Sequence, residues 1–412
     1  MARSAESKAF YAWIIVAASF LAMSVHGLFF SFGVFYKPLM EHFGWTATQV
    51  ALAPSTMSIV YILSVLPVSF IYKRSNIRLM SLLGGLLMGS GLILSSQATS
   101  SWHLYVSYGI VTGVGTSTVW VPFTSTIVRW FTKRRGLAMG IALSGSGFGS
   151  LCAAPLLTYL ILTHGWKSAF LLAGLLTLLI MLLAAILMRD SPEGLGAGPR
   201  AERERNESQA SAAATSPSPG MGPLSIPQIL RRGDFWSIYS LWALSTIVKS
   251  IYEQHMVLFA TTIGISSIIA SITLGTIGLS SIIGRLAIGV LQDKIGTRRA
   301  LNLCYILNLA SPIILLSAKN EPSLYLFALI FGFSLGGRTT LEAPMATVFF
   351  GVANLATVLA ILETAFGVGG FIGPYLAGHV FDLTGQYSQL FLCCIALSLV
   401  LSLIAALLKP KA

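Results

Sequence analysis

Apolar segments near the ~20-residue length of a membrane-spanning helix recur along the whole of this 412-residue chain. Twelve are read: 10–38, 48–72, 79–98, 102–130, 136–163, 167–188, 235–262, 266–292, 298–318, 322–349, 353–381 and 386–408. In hydrocarbon every backbone N–H and C=O must be bonded internally, so segments of this kind become helices. Hydrophobic residues are 55% of the sequence and charged residues only 10%, a balance that excludes a water-soluble domain. The first run is too long for a signal peptide and lacks a small-residue cleavage site, so it is read as a retained first helix.

Charge position orients these helices. Arg3 and Lys8 precede the first. Lys73, Arg74 and Arg78 follow the second, and Arg129, Lys133, Arg134 and Arg135 follow the fourth. Arg189 to Arg232 fill the central loop, Lys294, Arg298 and Arg299 follow the eighth helix, and Lys409 and Lys411 end the chain. The opposite loops hold little beyond Lys167 and Lys319, with Lys37 near the end of helix 1. The positive-inside rule then gives a multi-pass protein of the cell (inner) membrane with both termini cytoplasmic. The net charge of +12 is a topological signal, not a nucleic-acid footprint. Cys152, Cys304, Cys393 and Cys394 all fall in apolar helices as small buried hydrophobes, not as a metal or disulfide framework. No Cys/His spacing suits zinc and no Gly-rich loop suits ATP, so no metal and no cofactor is expected.

Residues 190–232 are rich in Pro, Gly, Ser, Ala and charge, and cannot bury enough apolar surface to fold alone. They divide the chain into an N-terminal six-helix bundle, 1–189, a flexible cytoplasmic linker, 190–232, and a C-terminal six-helix bundle, 233–412. The halves are related by an offset of 220: Gly147 and Gly149 map to Gly367 and Gly369, Gly165 to Gly385, and Arg78 to Arg298. Six helices per half give both halves one orientation, hence a parallel repeat with a central site between them.

The loop after helix 8 reads Gly289-Val-Leu-Gln-Asp293-Lys294-Ile-Gly296-Thr-Arg298-Arg299. It resembles the signature loop of the major facilitator superfamily; in the first half Ser69, Lys73, Asn76 and Arg78 stand in a degraded copy. The stretch Arg129-Trp-Phe-Thr-Lys133-Arg134-Arg135-Gly136-Leu-Ala-Met-Gly140-Ile-Ala-Leu-Ser-Gly145 resembles the helix 4–5 signature of the monocarboxylate transporters and of the oxalate/formate antiporter branch. These resemblances imply an all-α membrane protein of the major facilitator fold that moves small carboxylates by alternating access. They imply that Asp293, Arg298, Arg299 and Arg134 gate the cytoplasmic face.

Lys249, Glu253, Arg285, Arg338, Glu342 and Glu363 lie inside apolar runs, all in the second half; the first half offers His26 and Lys37. A guanidinium at membrane depth costs about 2.5–3.5 kcal/mol on insertion scales, and such residues are as a rule functional. Arg285 matches the helix 8 arginine with which monocarboxylate and oxalate carriers bind the substrate carboxylate. The family often has an Asp one turn earlier; here that position is Ser281, which can only hydrogen-bond. Lys37, Glu253 and His255 are therefore the candidates for carrying a coupling proton. Lys249 and Glu253 are spaced to pair, as are Arg338 and Glu342. On helix 7 the Tyr252/Met256 or Tyr252/His255 face is expected to line the cavity. Leu28, Phe29, Trp120, Leu143, Phe331 and Leu335 are expected to form its apolar wall. Phe366 stands near a lysine of oxalate carriers, which argues against a dianion.

The resulting expectation is proton-coupled symport of small monocarboxylates, L-lactate or pyruvate foremost, by a monomeric carrier in the lipid bilayer with no nucleic-acid partner. Organic-anion exchange of the oxalate/formate type and a non-transporting membrane receptor are the alternatives; an enzyme is not expected.

Overall fold

The computed structural model describes residues 2–131, 135–191, 224–351 and 354–408. Arg134 and most of the 190–232 segment lie outside these. Nine of the described helices are long and apolar enough to cross a membrane. One of them, Gly136–Leu187, is two spans joined at Gly165, whose φ of +81° breaks the helix where only glycine is at ease. Two more spans are recognised from their place in the chain. One is interrupted; the other is made too polar by Lys249, Glu253, Gln254 and His255. The protein is thus an all-α membrane protein of twelve transmembrane helices in two six-helix bundles.

The first span, α1, runs Ala2–Phe30 and continues through a tight turn at Phe32–Phe35 into Tyr36–Phe43. Then follow α2 (Ala47–Arg74), α3 (Ile77–Ser95) and α4 (101–130), which passes through a π-helical stretch at Tyr105–Thr112. The long kinked helix supplies α5 (135–164) and α6 (166–187). The second half holds α7 (Gly233–Thr262), α8 (Ser267–Ile295), α9 (Thr297–Leu316), α10 (321–350, broken at Leu341), α11 (Leu355–Thr384) and α12 (Ser388–Leu407).

The 220-residue repeat is visible in the packing. Gly165 and Gly385 both take positive φ at the turns that follow α5 and α11. Gly147 of α5 lies against the Gly278 carbonyl of α8, across the halves. Its counterpart Gly367 of α11 lies against Ile62 and Ser58 of α2, also across the halves. Gly149 and Gly369 instead seat α5 on Ser24 of α1 and α11 on Thr246 of α7, within their own halves. A side chain at any of these points would collide with a neighbouring helix, so the glycines set the approach distance. Arg78 donates to the Met188 carbonyl at the end of α6, at 3.0 Å, and Arg298 to the Ala406 carbonyl at the end of α12, at 2.6 Å. One contact is thereby made twice, once in each half.

Exposure separates peripheral from central helices. Leucines of α6 and α12 such as Leu179 and Leu403 are half or more exposed, as suits chains facing lipid. In α7 every residue from Ser245 to Ala260 is buried. A helix without a lipid face can carry polar side chains on all its sides, and α7 does.

Candidate functional site: a charged cavity between the halves

The break in α1 marks the level of the site. Gly33 comes so close to α7 that a side chain there would collide with the carbonyls of Glu253 and Gln254, at 2.8 and 2.6 Å. Just below this contact α1, α2, α4, α7 and α11 leave a cavity of about 40 Å³, room for a few waters. Its wall is mostly apolar, from Phe29, Phe30, Met57, Tyr61, Phe366 and Pro374, with Thr116, Thr246 and Ser250 among them. Its polar side is His26 from α1 and Lys249, Glu253 and Gln254 from α7.

Lys249 Nζ and the Glu253 carboxylate form a 2.6 Å ion pair one helical turn apart. The ammonium also lies 4.0 Å from the ring centre of Phe30 and 5.2 Å from that of Phe366. These rings come from opposite halves, and each presents its negative face to the cation. His26 packs among Phe30, Tyr61 and Trp120, and its Nε2 is buried with no hydrogen-bond partner. Gln254 Oε1 is likewise buried without one.

Arg285 lies outside this lining. Its guanidinium crosses from α8 to α5, where it donates to the Leu143 carbonyl and, at 3.4 Å, to Ser146 Oγ. Its Nε is buried without a partner. Among the described residues no carboxylate lies within ion-pair distance of it, so its neighbours are neutral and its charge is uncompensated at close range. Ser281, one turn earlier, bonds back to the Gly278 carbonyl at 2.7 Å. Arg338 and Glu342 form no ion pair among the described residues: α10 breaks at Leu341 between them, and Arg338 Nη1 is buried without a partner. An i, i+4 pair needs an unbroken helix, and here the helix stops at Thr340 and restarts at Glu342.

The other expected site residues divide sharply. Phe29 lines the cavity and Trp120 stands behind His26, whereas Leu28 is half-buried outside the lining. Tyr252, Phe331 and Leu335 do not line it. Tyr252 turns into the second half's own core, with ring centres 5.1 and 5.0 Å from those of Phe327 and Phe331. The face of α7 toward the cavity is thus the Lys249/Glu253 face, not the Tyr252/Met256 face. His255 is used structurally: Tyr387 O–H donates to Nδ1 and Nε2–H donates to the Pro374 carbonyl, both at 3.0 Å. Its ring meets Tyr36 of α1 edge-on at 4.6 Å, joining the two halves. Lys37 is about half exposed and faces Glu41 at 3.8 Å, away from the cavity.

The halves close on the face opposite the termini. Asp382, at the end of α11, accepts from the backbone N–H groups of Ala47 and Thr48, at 2.8 and 2.9 Å. A carboxylate from one half therefore caps the first turn of α2 in the other. At the terminal face Gly136 and Gly140 of α5 have open space where a side chain would stand, and Asp293 at the end of α8 and Arg299 in the first turn of α9 are exposed. Sequence reasoning missed Asp382, and it named His26 without giving it a role. The signal for Asp382 was a lone acid at a helix end, which looks like any solvated charge. For His26 it was a single histidine in an apolar run.

Two parallel-repeat bundles enclosing a mid-membrane cavity define the architecture of a secondary carrier. The major facilitator superfamily matches residues 12–318 and 257–412 of this chain, and the chain belongs to that superfamily. Its relatives are transporters, not enzymes. Monocarboxylate transporter 13 of Bos taurus is 28% identical over 386 residues, covering 92% of this chain and 85% of the relative. Monocarboxylate transporter 12 of Homo sapiens is 27% identical, covering 93% and 78%. In fold, the chain is similar to a crystal structure of a bacterial homolog of the human lysosomal transporter Spinster. The TM-score is 0.67 at 15% identity, over 97% of this chain and 95% of that one.

Proposed function

We propose that this protein is a proton-coupled carrier of small monocarboxylates, L-lactate or pyruvate foremost, in the cell membrane with both termini in the cytoplasm. The observation that carries this reading is the grouping of buried charge around a mid-membrane cavity between the two halves. A small cavity with an apolar wall suits a short-tailed anion. Phe366 at its edge leaves no second cation for a dianion there. The names of the relatives point to the same substrate class. Arg285 serves as a carboxylate-binding cation on the entry path, because it has donors in place and no carboxylate of its own. A guanidinium binds a carboxylate through paired charge-assisted hydrogen bonds.

Proton coupling follows from energy. Moving a monoanion against a negative-inside potential costs about 2.3 kcal/mol per 100 mV, and one accompanying proton removes that cost. In the conformation described, the two halves meet at the outer face through Asp382 and the Tyr36–His255–Tyr387 cluster. Purified protein in proteoliposomes should take up labelled L-lactate when the outside is acidified. Lactate–lactate exchange without any response to a pH gradient would favour organic-anion exchange instead.

A further inference from the structure

The Lys249–Glu253 ion pair is buried, faces the cavity and lies within one helix, so the carboxylate does not tie α7 to a neighbour. Across helices, among the described residues, the ammonium meets only the faces of Phe30 and Phe366, at 4.0 and 5.2 Å, contacts that need the cation but not Glu253. An intrahelical pair contributes little to a fold, whereas burying both charges is costly. The pair is also internally neutral, so the empty site carries no net charge from it. Protonating Glu253 would leave Lys249 as an uncompensated buried cation. Placing a carboxylate beside Lys249 without that proton would add an uncompensated anion. Only the two events together restore neutrality.

We infer that Lys249 is the cation on which the substrate carboxylate comes to rest in the cavity, and that protonation of Glu253 is what frees it. The inference rests on the carrier reading above. The balance is simple: a proton from water bonds to the Glu253 carboxylate, the ion pair opens, and the substrate carboxylate takes the vacated place at Nζ. Release reverses both steps on the other side of the membrane. Half-loaded states carry buried net charge and are disfavoured, and this makes the coupling obligatory. At the same cavity His26 Nε2 and Gln254 Oε1 are both buried without partners: His26 Nε2–H can donate to a hydroxyl or keto oxygen at the substrate's second carbon, and Gln254 Oε1 can accept from the hydroxyl. The class is thus a 2-hydroxy or 2-oxo monocarboxylate.

The other ionisable groups facing the pair are identified. His26 comes from α1 and Tyr61 from α2, with Glu342 and Glu363 within electrostatic reach of Tyr61. Arg285 of α8 and Arg338 of α10 lie within electrostatic reach of Lys249. Thr116 of α4 and the lining residues of α11 (Phe366, Gly370 and Pro374) do not titrate. Among the described residues, Glu253 is the one carboxylate that both lines the cavity and touches Lys249.

The test is calorimetric titration of L-lactate into the full-length protein in lipid nanodiscs, in two buffers of different ionisation enthalpy, across pH. Wild type is expected to take up about one proton per lactate at neutral pH and to bind more weakly as pH rises. E253Q should bind lactate without proton uptake and with an affinity that no longer varies with pH. K249Q should bind at least tenfold more weakly throughout. The double variant K249Q/E253Q removes both charges, leaves neither one unpaired, and should show the weak, pH-independent binding of a site without its cation. Propionate, which lacks the second-carbon oxygen, should bind several-fold more weakly than lactate to wild type, with the difference lost in H26L. Proton uptake persisting in E253Q, wild-type affinity in K249Q, or equal binding of lactate and propionate by wild type would overturn the inference while leaving the carrier reading intact. Failure of wild type to bind any monocarboxylate would overturn both.

Discussion

Arg285 and Lys249 are two cations with opposite surroundings. Arg285 bridges α8 to α5 through neutral acceptors, whereas Lys249 is already matched by Glu253 and boxed by aromatic rings. A charge-assisted hydrogen bond contributes about 1.5–3 kcal/mol, so R285A should raise the apparent KM for lactate by about 10- to 100-fold in proteoliposome uptake. R285K should recover part of this, since it keeps the charge and loses the paired donors. An unchanged KM in R285A would remove Arg285 from the substrate path. His255 is a different case, because both ring nitrogens are engaged. H255F should lower thermal stability by about 1–3 kcal/mol, the cost of leaving Tyr387 and the Pro374 carbonyl unsatisfied. Calorimetric melting in detergent checks this; an unaltered melting temperature would contradict the structural role.

At the scale of helices, apolar length made the spans legible, because a bilayer admits few other solutions for such segments. The breaks were less legible. The stop at Leu341 in α10 and the turn at Phe32–Phe35 in α1 are each followed by a proline, Pro344 and Pro38, but Pro54, Pro67, Pro312 and Pro374 sit inside unbroken helices, so proline alone did not mark them. Facing was harder still. The Lys249/Glu253 pairing followed from spacing, but nothing in the spacing said that this face, rather than that of Tyr252, meets the cavity. The overlooked clue was polar residues on every side of α7, which is tolerable only for a helix surrounded by protein. The latch between α11 and α2 has a direct test. Asp382 is exposed, so its capping is worth about 0.3–1 kcal/mol, and D382N should shift the population toward the form open at that face by about two- to fivefold. Spin labels at Thr46 and Gln386, both exposed beside the latch, would report the longer distance. An identical distance distribution in D382N and wild type would rule the latch out.

Across the whole molecule, the repeat explains how two bundles can rock about a shared site. Gly147 and Gly367 bring each half against the other, and Gly149 and Gly369 hold each half together. The 220-residue offset was readable in the sequence because these close approaches tolerate no side chain. What the sequence left hidden was how the halves meet at the face opposite the termini, through Asp382 on α2 and His255 against Tyr36. A carrier built this way around a neutral charge pair should move its anion together with a proton and no net charge. The direct test is a pulse of L-lactate to proteoliposomes with a pH-sensitive dye trapped inside, with and without a potassium diffusion potential set by valinomycin. Proton entry matching lactate entry, at a rate indifferent to the potential, is the expected result. Lactate entry without proton entry, or a rate that follows the potential, would contradict the account.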